Sequence, residues 1–277
     1  MTINCKGKLI DLTTPRVMGI LNVTTDSFYD GGTLRSDADL LKRAENMLEE
    51  GATFLDIGAY SSRPGAKDIP EPEEIRKSVE ATEIILKNFP EALISVDTFR
   101  ASVAKENILA GAAIVNDIAA GFLDEAMIPT VGSLGVPYIM MHMRGTPQNM
   151  QQQTGYSNIM QEMIYYFSER LEQARIHKIN DCIIDPGFGF AKTKEENFEV
   201  LRRLDLLKML EKPILSGISR KSMIYKSLGG SPETALNGTT ILNTLSLERG
   251  ANILRVHDVK EAMECVKLVG LTNPYTS

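Results

Sequence analysis

Short apolar runs recur along the chain, and each of them ends at a polar residue. The run Cys182–Ile184 stops at Asp185, and the Pro186-Gly187 pair that follows does not continue a regular strand. This pattern predicts a buried strand that opens into a loop, although an Asp before Pro is also a common way to start a turn. Seven other runs have the same arrangement, and they end at Asn22, Asp56, Asp97, Asn116, His142, Ser216 and Arg255.

Stretches with helical periodicity separate most of these runs, as at residues 40–48, 75–86 and 159–174. Strands that alternate with helices predict a parallel sheet. Eight such units in 277 residues fit a single (β/α)8 TIM barrel, which typically takes about 250 residues. A doubly wound open sheet is the alternative, but it needs only about five or six strands.

The division of the chain follows from this fold. Residues 1–16 contain Lys6-Gly7-Lys8 between short apolar pieces, which predicts a hairpin that closes the bottom of the barrel. Residues 17–270 form the barrel and residues 271–277 a tail. No linker composition divides the chain, so we expect one α/β domain.

Composition narrows the class of protein. The chain is 43% hydrophobic and 24% charged, has a net charge of −6 and lacks a basic run, which argues against nucleic acid and anionic membranes as partners. No apolar run is long enough for a membrane span or a signal peptide, so a cytoplasmic location is expected. The three cysteines have no CxxC spacing and predict neither a disulfide framework nor a zinc site.

In a TIM barrel the carboxyl ends of all strands face one mouth, so the polar residues at the strand ends converge. Arg255 and His257 are two apart on the last strand and leave it by the same face. The helix expected at 259–270 begins directly behind them, and a helix N-terminus favours anions. In isolation, such a pair would more often form a surface salt bridge.

Eight sequence blocks carry a family resemblance. They are Met18–Thr24, Ala59–Ala66, Ser95–Thr98, Asn116–Asp117, Met141–Met143, Asp185–Phe190, Ser219–Ser222 and Arg255–Val259. Together and in this order, they closely resemble dihydropteroate synthase from about Val17 to Gly270. Two positions depart from the family pattern, because Thr25 stands where the family usually has Pro and Ser62 where it usually has Thr.

The resemblance implies condensation of 6-hydroxymethyl-7,8-dihydropterin diphosphate with 4-aminobenzoate in folate biosynthesis, releasing diphosphate. Four side chains are expected to act in catalysis: Asp97, Asp185, Lys221 and Arg255. The expected pterin site consists of Asp97, Asn116, Met140, Asp185, Gly217 and Lys221. Buried carboxylates need a donor, and the guanidine-like edge of a pterin offers adjacent N–H groups.

The resemblance also assigns the remaining subsites. The diphosphate is expected to contact Asn22, Ser62, Arg63, Arg255 and His257. The 4-aminobenzoate is expected to contact Ser62, Arg63, Pro64, Phe190, Lys221 and Ser222. Asn22 is the expected Mg²⁺ ligand, since magnesium prefers few protein oxygens together with water and phosphate. Asp30 is a second candidate, and the family also implies a homodimer that sulfonamides target.

Several alternatives stay open at this stage. Asp97 and Asp185 could form a structural ion pair with Lys221, and Asn116-Asp117 could be a turn pair. Lys221 could act as an electrostatic clamp or as the Schiff-base nucleophile of an aldolase. His142, among methionines, is expected to be a core residue without a role in the chemistry.

Two other functions compete with the synthase. A pterin-binding methyltransferase domain would have no use for a diphosphate site, so the Arg255–His257 pair argues against it. A catalytically silent relative that only binds pterin could keep most of the same residues.

Overall fold

The computed structural model describes residues 1–23, 35–60 and 69–272, without the side chains of residues 35 and 36. Ten strands lie in this part of the chain. They are β1 (Thr2–Cys5), β2 (Lys8–Asp11), β3 (Arg16–Asn22), β4 (Phe54–Gly58), β5 (Leu93–Asp97), β6 (Ile114–Asp117), β7 (Tyr138–Met141), β8 (Cys182–Asp185), β9 (Leu215–Ser216) and β10 (Ile253–Val256).

Strands β3 to β10 form one parallel sheet in the order β8-β7-β6-β5-β4-β3-β10-β9. Its two edges meet, because a parallel bridge joins Ile184 to Ile214 and the Ile184 amide donates to the Pro213 carbonyl at 2.9 Å. The sheet is therefore a barrel. The predicted (β/α)8 class and all eight predicted strands are confirmed.

Helices follow the strands on the outside of the barrel. They are α1 (Arg35–Glu49), α2 (Glu71–Asn88), α3 (Ala101–Leu109), α4 (Met127–Leu134), α5 (Ile159–Ile176), α6 (Lys194–Arg202), α7 (Ser222–Tyr225), α8 (Leu236–Glu248) and α9 (Val259–Thr272). Short 3₁₀ helices lie at Met150–Gln152, Leu204–Leu210 and Pro232–Thr234. Local signals set their starts: Thr193 and Glu196 form a capping box on α6. None of the described helices is both long and apolar enough to cross a membrane.

The barrel strands have two apolar faces, as the continuous apolar runs require. Alternate residues such as Val17, Leu55 and Ile94 pack outward against the helices in the larger core. The residues between them, such as Met18, Phe54 and Ile139, fill the lower interior of the barrel. This alternation decides which side chains reach the mouth.

The N-terminal hairpin closes the bottom, as predicted. Strands β1 and β2 pair antiparallel, and Lys6 and Gly7 between them have φ of 54° and 81°, which suits a two-residue turn. Ile3 and Leu12 are buried in the same cluster as the lower barrel interior. Strand β3 begins at Arg16, one residue before the predicted domain boundary, and α9 continues to Thr272 into the predicted tail.

Several predicted residues lie outside the part of the chain that the structure describes. These are Thr25 and Asp30, between β3 and α1 in the sequence, and Ser62, Arg63 and Pro64, between β4 and α2.

Candidate active site

The polar residues at the ends of neighbouring strands lie side by side at the mouth. Asp97 and Asn116 are register partners on β5 and β6, and Asn22 is the partner of Gly58 on β3 and β4. Gly58 borders Asp97, since a Cβ there would lie 3.5 Å from its Oδ2, which is ordinary van der Waals contact. The convergence predicted from the strand ends is confirmed for these residues.

Arg255 connects two carboxylates inside the mouth. Its Nε lies 2.6 Å from Oδ2 of Asp56, and its Nη2 lies 2.6 Å from Oδ2 of Asp97. The same Asp56 oxygen accepts a hydrogen bond from Nδ2 of Asn116 at 3.1 Å. Three acidic or amide side chains and one guanidinium thus form a single polar cluster across four strands.

The charged groups in this cluster shift one another's pKa values. Burial disfavours the charged guanidinium of Arg255, but the carboxylates of Asp56 and Asp97 outweigh it and raise the pKa of Arg255. Burial raises the pKa of Asp97, with Arg255 opposing the shift and Asp56 adding to it. Oδ1 of Asp56 is buried without a hydrogen-bond partner among the described residues.

Asp185 and Lys221 stand on the opposite side of the mouth. Oδ1 of Asp185 accepts the Gly187 amide at 2.8 Å, and burial raises the pKa of Asp185. A Cβ at Gly217 would lie 3.6 Å from Oδ2 of Asp185, so this glycine borders the carboxylate. Burial lowers the pKa of Lys221 to about 8, and Asp185 partly opposes that shift.

Lys221 forms no direct ion pair with Asp97 or Asp185 in the described structure. Its Nζ donates to the carbonyl of Phe188 and lies 4.6 Å from the centroid of the Phe190 ring. The cation that pairs with Asp97 is Arg255. A structural ion pair of the two aspartates with Lys221, the alternative left open by the sequence, is therefore not what holds this site.

His257 lies beside the loop that follows β9. Oγ of Ser219 is 3.0 Å from its Nδ1 and accepts its backbone amide at 3.2 Å. Arg220 pairs with both carboxylate oxygens of Asp258 at 2.8 and 2.7 Å, which joins the loop to the end of β10. Ser222 is the first residue of α7.

The described residues offer few ligands for a magnesium ion. No group of three His, Cys, Asp or Glu side chains within the described ranges could hold a metal by itself. Asn22, half-buried at the end of β3, offers one amide oxygen at the mouth. One neutral oxygen fits an ion that takes its other ligands from phosphate and water.

The comparisons with known proteins agree with this geometry. The profile of the family described as "Pterin binding enzyme" matches residues 18–257. The chain is 40% identical to a dihydropteroate synthase of Escherichia coli K12 over 275 residues, which covers 98% of this chain and 96% of that one. It is 37% identical to the Haemophilus influenzae enzyme of the same name, covering 97% and 98% of the two chains.

Solved structures show the same similarity. A Yersinia pestis dihydropteroate synthase in a sulfonamide drug complex superimposes with a TM-score of 0.92 at 38% identity, covering 98% of this chain and 99% of the other. A Xanthomonas albilineans dihydropteroate synthase with 4-aminobenzoic acid superimposes with a TM-score of 0.90 at 35% identity, covering 98% and 97%. This chain belongs to the dihydropteroate synthase family.

In this member of the dihydropteroate synthase family, one residue that was predicted for the pterin site lies elsewhere. Met140 packs in the outer core between the barrel and its helices, so the prediction that it lines the pterin face is wrong. Side chains alternate along β7: Ile139 points into the barrel, Met140 outward and Met141 inward again. Met141 packs in a cluster with Phe190 at the mouth.

Asp117 also turns away from the site. Its carboxylate accepts the amides of Ala119 and Gly121 at 2.8 and 2.6 Å and the hydroxyl of Tyr138 at 2.6 Å. The Asn116-Asp117 pair therefore combines two functions, because Asn116 faces the mouth and Asp117 holds a turn. Burial raises the pKa of Asp117 to about 6.

The contacts of two buried polar residues, Asp56 and Lys192, were not predicted from the sequence. Asp56 was recognised only as a strand end, although it contacts Arg255 and Asn116. Lys192 is buried, with Nζ 3.1 Å from Nδ1 of His142. Burial lowers the pKa of Lys192 to about 7 and that of His142 well below its usual value. His142 is a buried core residue, as expected, and packs edge-on against Tyr166.

Proposed function

We propose that this chain condenses 6-hydroxymethyl-7,8-dihydropterin diphosphate with 4-aminobenzoate to give 7,8-dihydropteroate and diphosphate. Family membership supports the reaction, and one feature of the site carries the argument for it. The guanidinium of Arg255 reaches Asp56 through Nε and Asp97 through Nη2, both at 2.6 Å, so the described cluster already accommodates a planar group with adjacent N–H donors. The guanidine-like edge of a pterin has the same donor arrangement.

Asp97, Asn116 and Asp185 are the proposed ring-binding residues. They border the mouth from three strands and offer carboxylate and amide acceptors, while Nδ2 of Asn116 is directed to Asp56. As the C–O bond to the diphosphate breaks, the pterin ring takes on positive charge. Two carboxylates that are already held in place in a buried site stabilise that charge without reorganisation of solvent.

Arg255, His257 and Asn22 are the proposed contacts for the diphosphate. They end neighbouring strands, since β10 pairs with β3, and Arg255 is the register partner of Met18. A guanidinium can bind two phosphate oxygens, and His257 adds an N–H donor. Mg²⁺ held by Asn22 would neutralise part of the charge of the departing group.

Phe190 and Lys221 are the proposed contacts for 4-aminobenzoate. The Lys221 ammonium sits 4.6 Å from the Phe190 ring centroid, which places an apolar wall and a cation together. The amine attacks mainly through positioning, because an arylamine is a weak base and the site offers no strong one. Residues Ser62, Arg63, Pro64 and Ser222 remain proposed contacts to the same substrate, and sulfonamides would compete for it.

A Schiff-base aldolase is the less favoured use of the site. Lys221 donates to the Phe188 carbonyl and keeps a pKa of about 8, so its ammonium form predominates at neutral pH. Borohydride trapping of a carbonyl substrate on Lys221 would contradict the clamp role.

We also propose that the chain acts as a cytoplasmic homodimer. Apolar side chains on and near α7, α8 and α9 support self-association, since Leu228, Ile241, Leu268 and Leu271 are all more than half exposed. Light scattering should give twice the mass of one chain, and the mass of a single chain would contradict the dimer. The cytoplasmic location remains a prediction of the sequence.

Product identification tests the proposed reaction. The purified chain, Mg²⁺ and both substrates should yield the mass of dihydropteroate, and omission of Mg²⁺ should lower the yield. Calorimetry with the pterin diphosphate alone separates the rivals. A chain that binds the pterin but makes no product would be a silent relative or a methyl-transfer domain.

A further inference from the structure

Side chains form most of the hydrogen bonds that hold the loop between β8 and α6, and one backbone bond within it joins the Phe190 amide to the Gly187 carbonyl at 3.1 Å. Five successive carbonyls, those of residues 187–191, each accept a hydrogen bond from a side-chain donor. Gly187, Gly189 and Ala191 have φ of 67°, 81° and 48°, so the backbone cannot pair these groups in a regular way. The donors are Lys192, Lys221, Gln151, Lys192 again and Tyr156, in chain order.

Lys192 supplies two of the five donors from inside the loop. Its Nζ lies 3.0 Å from the carbonyl oxygens of both Gly187 and Phe190, and the residue is only 4% exposed. The third close partner is Nδ1 of His142 at 3.1 Å, and the His142 carbonyl is more distant at 3.4 Å. Three close acceptors match the three protons of an ammonium group.

The loop carries the groups that face the substrates. Between the two carbonyls that Lys192 holds lies the Phe188 carbonyl, which accepts from Lys221. The loop also carries Phe190, whose ring centroid lies 4.6 Å from Nζ of Lys221. The buried Asn197 fixes the loop from the other side, accepting the Gly189 amide at 2.6 Å.

We propose that Lys192 is a positioning residue that fixes Phe190 and the Lys221 contact for the arylamine substrate. It does not touch the reacting atoms. This role rests on the proposed synthase function, in which Phe190 and Lys221 contact 4-aminobenzoate. Without the Lys192 ammonium, the part-buried carbonyl of Phe190 loses its donor, and the Gly187 carbonyl keeps the Phe190 amide at 3.1 Å but loses its second donor. We expect the loop to change its conformation so that the Phe190 carbonyl finds another donor.

The pterin-binding residues should be affected less. Two of the three proposed ring-binding residues, Asp97 and Asn116, lie on β5 and β6, away from this loop, and are held by Arg255 and Asp56. The third, Asp185, contacts the loop through the Gly187 amide at 2.8 Å and not through Lys192. The proposal therefore predicts that loss of Lys192 affects the binding of the two substrates differently. Binding of 4-aminobenzoate should weaken while binding of the pterin diphosphate should be largely retained.

The test compares Lys192→Met with Lys194→Met. Lys194 is two residues away, but its side chain is 53% exposed, and its ion pair within the described part of the chain is with Glu195 at 3.6 Å. In Lys192→Met the KM for 4-aminobenzoate should rise about 10-fold or more, since small misplacements of substrate contacts are costly. The calorimetric Kd for the pterin diphosphate should change less than about 3-fold, and Lys194→Met should resemble the wild type.

Two results would overturn the role. One is a folded Lys192→Met protein with an unchanged KM for 4-aminobenzoate. The other is an equal weakening of the binding of both substrates, which would indicate general damage to the structure. If the wild type forms no dihydropteroate, the proposed function fails instead, and calorimetric binding of 4-aminobenzoate beside the pterin diphosphate then tests Lys192 without turnover.

A second pair of variants covers the case in which Lys192→Met does not fold. In His142→Asn the amide oxygen can replace Nδ1 as acceptor for Lys192, whereas His142→Leu removes the acceptor. The KM for 4-aminobenzoate should rise in His142→Leu and stay near the wild-type value in His142→Asn. Equal effects of the two substitutions would contradict the proposal.

Discussion

Nη2 of Arg255 lies 2.6 Å from Oδ2 of Asp97, and this contact joins the proposed ring site to the proposed diphosphate site. The two residues come from β10 and β5, which are separated in the sheet by β3 and β4. One guanidinium thus spans the mouth between the groups that bind the two parts of the pterin diphosphate.

Removal of the Asp97 charge should weaken pterin binding. In Asp97→Asn we expect the Kd for the pterin diphosphate to rise about 10- to 100-fold, because a hydrogen bond to a charged group contributes about 1.5–3 kcal/mol. Asp117→Asn is the matched control, since Asp117 lies one strand away and binds a turn. The Asp117→Asn variant should have a lower melting temperature and an unchanged Kd for the pterin diphosphate. Equal Kd values for the wild type and Asp97→Asn would exclude Asp97 from the site.

The activity should decline in alkaline solution through Lys221. Burial lowers the pKa of its ammonium from 10.5 to about 8, so the charged form is lost as the pH rises through that value. A plot of kcat/KM against pH should therefore fall above about pH 8, and Lys221→Gln should be slower and lack this fall. If the decrease of kcat/KM above about pH 8 persists in Lys221→Gln, a group other than Lys221 causes it.

The effect of Lys221 on stability has the opposite sign. Between about pH 8 and 10.5 the unfolded chain holds a proton on Lys221 that the folded chain has released. The contribution of this residue to the free energy of unfolding therefore increases with pH in that window. Denaturant titrations of wild type and Lys221→Gln should converge as the pH rises.

The sequence predicted the framework well because the relevant signals are local. Each apolar run that ended in a polar residue became a barrel strand, and the Lys6-Gly7 pair became the turn of the hairpin. The strand face was harder to predict within Tyr138–Met141, because this run is apolar throughout and contains no polar residue that marks the mouth. The choice between Met140 and Met141 required the register of the barrel.

The partners of buried charges could not be predicted in the same way. Asp56 and Arg255 are 199 positions apart in the chain, and the sheet brings them to 2.6 Å because β4 and β10 both pair with β3. Lys192 resembled an ordinary loop residue because the carbonyls that surround it belong to the backbone, which has no residue-specific signal. The left-handed conformations at Gly187 and Gly189 were the available hint.

Arylamine reactivity tests the order of bond cleavage and bond formation. If the C–O bond of the pterin diphosphate breaks before the amine attacks, ring-substituted 4-aminobenzoates should react at similar maximal rates. The two carboxylates of Asp97 and Asp185 suit such a cationic ring. A steep increase of the single-turnover rate with amine nucleophilicity would contradict this order.

A second buried ion pair should matter for stability. Glu74 is fully buried, accepts from Oγ1 of Thr98 at 2.7 Å and lies 2.6 Å from Nη1 of Arg100. In Arg100→Met this carboxylate loses its cation, which should lower the free energy of unfolding by about 3–5 kcal/mol. Arg76→Met removes an exposed pair with Glu80 and should change it by less than about 0.5 kcal/mol. Equal denaturation midpoints for the two variants would refute the difference.

Diphosphate release is the most direct test of the account as a whole. The rate should be measured with the pterin diphosphate and Mg²⁺, in the presence and in the absence of 4-aminobenzoate. The account predicts sustained release only with the arylamine, in equal amounts with dihydropteroate, and a loss of at least about 100-fold in Arg255→Ala. Sustained release without 4-aminobenzoate, or no release by a chain that binds the pterin, would contradict it.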